Sequence, residues 1–537
     1  MRSSLGQIFF SLIVVMCLTA TAFGQARNQG TVQQADYWQP SGTQQRSVYQ
    51  TVGYNHTHGA DCGCATQQSA PTPTTSMISL ASGTTGSCET CGPSEVFNDC
   101  STGGCSTGTC GVEMNACDPC GTYDMGCTSF MNPCQPNQWF LTGWIQQGVT
   151  INPFWPDNRF NGTLRYNDRA NDYQMNQLYL TMGRSVNSEA CNWDIGGRVD
   201  VLYGTDYFFT SALGWETETT GIYGGDVLDP TGAKSKWNKN DGPRRDGTAA
   251  MYGLSIPQLY GEVQAPMGTN VKLGHFYSPM GHESVMATQN FFYSHSYSMM
   301  YGEPTTITGM LLSQRLTQNW TGYFGLHQGW DKWESPISEM SYMAGIKWEN
   351  YFRTTSVGFL INTGKDAYDN TGIPRQTANR TNYSLIFSHQ LSPNLHYVLQ
   401  HDLGIDENAG YNMNAQGMIT PVDGKWYSIS QYIYAQMTDT LAFGCRAEWF
   451  KDENHSRILK GFGPTSYVKG DEYVELTLGF NWKPTPFIML RPEVRWDWIP
   501  GREQYNPLTD QYVSSGPFND GTKNRQFTIG TDLVITF

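Results

Sequence analysis

From Trp139 to Phe537 hydrophobic and polar residues alternate in short runs. In Arg525–Phe537, Phe527, Ile529, Leu533, Ile535 and Phe537 share one parity, while Thr528, Gly530, Asp532 and Thr536 share the other, with Thr531 and Val534 as the exceptions. Successive strand side chains point to opposite faces, so a period of two gives one oily and one wet face. The same pattern sets Trp193, Ile195, Val199, Val201 and Tyr203 against Asp194, Arg198 and Asp200. It sets Val474, Leu476, Leu478, Phe480 and Trp482 against Tyr473, Glu475, Thr477 and Asn481, and Leu441, Phe443, Ala447 and Trp449 against Arg446 and Glu448. Ile488, Leu490, Val494, Trp496 and Trp498 oppose Arg491, Glu493, Arg495 and Asp497. A soluble sandwich also alternates. Charges of both signs on one face and aromatic residues at the ends of the other instead fit a transmembrane barrel, wet inside and lipid-facing outside.

Short turn signals recur at 187–191, 265–270, 316–320, 349–353, 391–395, 437–441 and 483–487, and longer polar segments at 151–172, 204–255, 277–305, 328–341, 363–381, 403–425, 451–471 and 499–525. Alternating short turns with long loops predicts an all-β, antiparallel up-and-down transmembrane β-barrel of about 16 strands. A barrel of that size is expected to enclose an aqueous channel. The aromatic carboxy-terminus, Phe537, resembles the signal by which outer-membrane barrels are recognised by the barrel-assembly machinery.

Composition removes the main rivals. Mean hydropathy is −0.45 with 39% hydrophobic residues, too dilute for a bundle of apolar helices but compatible with alternating strands. The 13% aromatic content would serve interface girdles or, alternatively, a carbohydrate-binding surface. A net charge of −14 argues against a nucleic-acid partner. Arg2, the apolar stretch Ile8 to Leu18 and the small residues around Ala22 and Gly24 predict a signal peptide over 1–24.

Residues 25–135 form a low-complexity, Cys-rich extension without periodicity, expected to be disordered, ahead of the barrel domain at 136–537. The extension holds eleven of the 14 cysteines: Cys62, Cys64, Cys88, Cys91, Cys100, Cys105, Cys110, Cys117, Cys120, Cys127 and Cys134. Disulfides in an oxidising compartment are the plainest reading. The spacings Cys88-x-x-Cys91 and Cys117-x-x-Cys120 would also suit zinc. A tether without specific chemistry is the third reading. His56 and His58 are assigned to the polar tail, and no metal site is assigned.

Gly274, His275, Phe276, Ser278, Pro279, Met280, Gly281 and Glu283, followed by Asn290, Phe291, Phe292, Tyr293, Ser294 and Ser296 and then by Thr308 and Gly309, resemble the OmpL-like porin family of bacterial outer membranes. The resemblance covers about 138–537. It implies an outer-membrane barrel and a pore passing small hydrophilic solutes or ions passively, without a cofactor. By analogy with general porins, the third long loop would fold inward and place His282, Glu283, His295 and Glu303 at a constriction; the alternative is an external loop packed by its own aromatics. The same analogy suggests a homo-oligomer.

Lumen-wall charges are expected at Arg198, Asp200, Arg446, Glu448, Arg491, Glu493, Arg495 and Asp497. They would either pair across strands or set a transverse field for permeating solutes. No nucleophile elbow, P-loop, dinucleotide fingerprint or HExxH motif is present, so no catalytic residue is assigned. The rival function is a structural barrel anchor that displays a disulfide-cross-linked Cys-rich segment. The expected partners are outer-membrane lipid, the assembly machinery and small solutes or ions.

Overall fold

The computed structural model describes the chain from Trp139 to Phe537 apart from 188–192, 218–236, 238–250, 336–338, 369–373, 414–418, 455, 459–471, 501–503, 507–510 and 514–515. It also describes Thr31–Gln33 and Gln50–Val52, which pair with each other. The signal-peptide segment and all eleven cysteines of the extension lie outside the described residues.

Among the described residues sixteen strands close into one antiparallel barrel, each paired with its neighbours in sequence. They are β1 (Trp139–Ile151), β2 (Tyr173–Arg184), β3 (Asp194–Gly204), β4 (Gly253–Ala265), β5 (Thr269–Tyr277), β6 (Thr306–Arg315), β7 (Trp320–His327) and β8 (Ser341–Glu349). The second half is β9 (Thr355–Tyr368), β10 (Pro374–Ser392), β11 (Leu395–Met413), β12 (Ile419–Gln436), β13 (Leu441–Glu453), β14 (Glu472–Thr485), β15 (Ile488–Trp498) and β16 (Arg525–Thr536). Strand β16 closes on β1 through Ile529↔Ile151 to Thr536↔Trp144. Phe537 and Gly143 exchange both backbone hydrogen bonds at 2.9 Å, so the last residue is zipped into the seam. Closure satisfies every sheet edge, which lipid could not do.

Outer and inner faces follow the predicted parities. Ile529 and Ile535 are exposed on β16 while Thr528, Asp532 and Thr536 are buried. Exposed Trp139, Trp320, Tyr351, Phe352, Trp482 and Phe487 gather at the short-turn end, as an interfacial girdle requires.

Two predicted loops are shorter than expected. The segments 363–381 and 403–425 contract to the gaps 369–373 and 414–418, because β10 and β11 each run for 19 residues. About ten residues suffice to cross the bilayer, so these hairpins continue past it. Their polar residues still pair across strands, for instance Thr363 with Thr381 at 2.7 Å between hydroxyls. Polarity there marks the exit into water and not the end of the strand.

The larger difference is inside. Among the described residues, part of the lumen wall is covered by packed loops. The third loop, 278–305 (L3), folds into the barrel and is buried along nearly its whole length. The first loop, 152–172 (L1), meets it there, with Thr163 Oγ1 3.1 Å from Tyr297 OH. One apolar cluster joins wall residues Trp144, Tyr179, Trp426 and Phe450 to loop residues Tyr166, Met286, Tyr297 and Trp330. A second joins Leu311, Met343, Leu360, Ile386 and Val398 of the wall to Met280, Phe291 and Phe292 of L3. Inward-pointing apolar side chains and an aromatic loop bury each other, which expels the water a bare wall would hold.

Candidate functional site: the loop-filled lumen

Six of the eight predicted wall charges form ion pairs with a neighbour. Arg491 on β15 pairs with Asp532 on β16, its Nε 2.9 Å from Oδ1, and Arg446 on β13 pairs with Glu475 on β14 at 3.1 Å. Arg495 pairs with Asp497 two residues along β15 at 2.8 Å, and Arg198 with Asp200 along β3 at 2.7 Å. These eight groups are buried, apart from a little exposure at Arg198. Burial of charges is tolerated only with close partners and satisfied hydrogen bonds.

The remaining capacity of these groups is directed at the L3 backbone. Arg446 donates to Ser294 O at 2.8 Å, Arg491 to Ala287 O at 2.9 Å and Asn290 O at 2.8 Å, and Arg495 to His295 O at 2.6 Å. Glu493 accepts from the amides of Tyr293 at 2.9 Å and Ser294 at 3.1 Å. Glu448 accepts from the amides of Tyr297 and Ser298, the latter at 2.7 Å. A loop without ladder partners must place its backbone groups somewhere. Here the wall supplies them. Arg198, paired with Asp200, reaches Met286 Sδ of L3 at 3.6 Å.

The four predicted constriction residues all lie within the lumen, in three settings. Glu283 is held by Arg446 at 2.8 Å and by the Ser296 amide at 3.0 Å, with His295 Nδ1 at 3.1 Å. Burial alone would raise its carboxyl, but Arg446 and His295 outweigh that and hold it well below the usual carboxylate range. Burial lowers the His295 imidazole, so at neutral pH it stands beside Glu283 as a neutral hydrogen-bond partner. His282 lies 3.1 Å from Tyr434 OH, and burial lowers it to about 4.

Glu303 is different. Burial, then Asp402 and Glu283, push its carboxyl well above the usual range, opposed by a hydrogen bond from Gln400. The Gln400 amide bridges Glu303 at 3.3 Å and Asp402 at 2.7 Å. The same end of L3 is tied by Trp426 Nε1, which donates to Gly302 O at 3.0 Å. Asp331 accepts from the amides of Thr305 and Thr306 at 2.9 Å each, and burial raises its carboxyl to about 6. Gly281, at φ +88°, brings the start of L3 against its end: a Cβ there would lie 1.9 Å from a Glu303 carboxylate oxygen.

Beside His282, Glu283, Phe291 and Tyr434 lies a cavity of about 10 Å³, room for about one water. Gln400, Asp402, Tyr434 and Trp426 were not singled out from sequence. Their lumen parity was readable, but their partners on L3, more than 90 residues away, were not.

The family match agrees with this architecture. Residues 140–537 match the family described as "Putative beta-barrel porin-2, OmpL-like". Similar solved structures include the outer membrane channel DcaP of Acinetobacter baumannii, at 11% identity over 74% of this chain and 97% of that one, TM-score 0.45. Salmonella typhi OmpF in complex with daunomycin shows 10% identity over 75% and 98%, TM-score 0.43. Pseudomonas putida OprB shows 11% over 74% and 94%, TM-score 0.44. Comparison with curated proteins gives no match. The family match spans well over half of the sequence, and the chain therefore belongs to the OmpL-like β-barrel porin-2 family, as a porin of the bacterial outer membrane.

Proposed function

We propose that L3 is the constriction of this porin and that it limits passive diffusion to small hydrophilic solutes or ions. The observation that carries the reading is the fastening of L3 to the wall by Arg446, Glu448, Arg491, Glu493 and Arg495. His282, Glu283, His295 and Glu303 are buried polar groups that a solute would meet when L3 shifts. Passage of a solute past these groups requires part of L3 to shift, so flux falls steeply with solute size. The reading requires no catalytic step and no cofactor. It includes export by the segment 1–24, recognition of Phe537 during assembly, and an envelope-facing Cys-rich extension.

Liposome swelling with the purified full chain tests this. Sugars of graded size should enter at rates that fall with size, and faster than into protein-free liposomes. No entry of even the smallest sugar would favour the second reading, a structural anchor.

A further inference from the structure

The register brings three glycines and one carboxylate into a single row across four strands. Gly444 on β13 pairs with Gly479 on β14, Gly479 with Glu493 on β15, and Glu493 with Gly530 on β16. All four share the lumen parity of Arg446, Glu475, Arg491 and Asp532. Gly148 continues the bare patch onto β1, opposite Asp532.

The L3 run Phe291–Tyr293 lies on this patch. A Cβ at Gly444 would stand 2.3 Å from the nearest Phe291 ring carbon, and one at Gly148 2.8 Å from the Tyr293 ring. At Gly479 and Gly530 the Phe292 and Tyr293 rings would lie 3.3 Å away. None of the four glycines has a positive φ, so backbone conformation does not demand them. A glycine inside a strand weakens it, and close approach of another group is the usual compensation. The one side chain in the row, Glu493, accepts the amides of Tyr293 and Ser294 at the end of the ring run.

We propose that this glycine row is a built seat for the Phe291–Tyr293 run, and that Gly444, Gly479 and Gly530 are positioning residues that set where L3 stands in the lumen. The proposal rests on the reading of L3 as the constriction. Gly444 is the cleanest probe, because the three atoms nearest its added Cβ all belong to the Phe291 ring. Gly261 on β4 is the control: a Cβ there meets nothing within 4 Å.

The test is hydrogen exchange at the Tyr293 and Ser294 amides, with unitary conductance, on the full chain in lipid bilayers. Gly444→Ala should speed exchange at both amides by about tenfold or more, a local loss of protection, and raise conductance. Gly261→Ala should change neither. Adding Phe291→Leu to Gly444→Ala makes room for the methyl and should restore protection. If Gly444→Ala does not assemble, Gly530→Ala, with its looser 3.3 Å contact to Tyr293, takes its place in the same measurement. Unchanged exchange in the glycine variants, or failure of Phe291→Leu to rescue, would overturn the seat. Exchange that responds as expected in a barrel that never conducts would leave the seat standing and remove the porin constriction.

Discussion

L3 is fastened at two places by opposite electrostatic means. Its middle, around Glu283 and Ser294, meets guanidinium groups, and each buried carboxylate there has a cation or backbone amides against it. Its end, around Glu303, meets another carboxylate, Asp402, with only a neutral amide between them. The first attachment is strongest when Glu283 is ionised, the second when Glu303 is protonated. The contrast teaches that a loop can be locked at one point and left responsive at another.

The largest effect should come from removing the cation. Arg446→Ala strips Glu283 and Glu475 of their partner inside the barrel. Removing one member of a buried pair costs about 3–5 kcal/mol. The denaturant midpoint should fall and protection at Ser294 and Ser296 should collapse, while Gly302–Thr305 keep theirs. Uniform loss along L3 would mean that the two attachments are not separate.

The pH response should split the same way. Glu283 has a lowered carboxyl, so its contribution is present above the ordinary carboxylate value of 4.5 and is lost as pH falls through its depressed value. Glu303 has a raised carboxyl, so its contribution is complete below 4.5 and is lost as pH rises toward its raised value. Asp331 adds to the second trend between 3.8 and about 6. Exchange corrected for its intrinsic pH dependence should therefore show the Glu283 attachment loosening in strong acid and the end of L3 loosening as pH rises above 4.5.

Glu303→Gln sharpens this further. It keeps the size of the side chain and removes its titration, so the loosening at Gly302–Thr305 with rising pH should shrink to the Asp331 contribution below about 6. An infrared band of a protonated carboxyl, present in the parent protein above the ordinary carboxylate value of 4.5, should weaken in the variant. An unchanged spectrum would place the proton elsewhere.

The smallest effect serves as the baseline. Lys451 and Glu472 form a pair at 3.4 Å on the partly exposed rim. Breaking it with Lys451→Ala should cost within about 1 kcal/mol and leave both attachments of L3 as they are. A larger loss in the denaturant midpoint would show that rim charges, too, hold the loops.

The outer face was legible in the sequence because lipid enforces one rule on every strand. The parities of β3, β14, β15 and β16, the short turns and the strand count all follow from alternation. The lumen face obeyed no such single rule. Leu360, Ile386 and Val398 point inward among Asn362, Ser384 and Gln400, and isolated apolar residues at a wet parity read as noise until a loop packs on them. Gly444, Gly479 and Gly530 read as weak points in strands, because only the register shows that they form a row. His282, Glu283, His295 and Glu303 could be grouped on one loop. Their different environments could not be foreseen, since Arg446, Tyr434 and Asp402 come from distant strands.

The central claim is that L3, fastened to the wall, governs passage through the barrel. The most direct measurement is unitary conductance in a planar bilayer of the full chain and of a variant with residues 284–301 replaced by a short Gly-Ser link. The account predicts small steps for the parent protein and steps several times larger, scaling with salt, for the variant. Equal conductance in the two would contradict it.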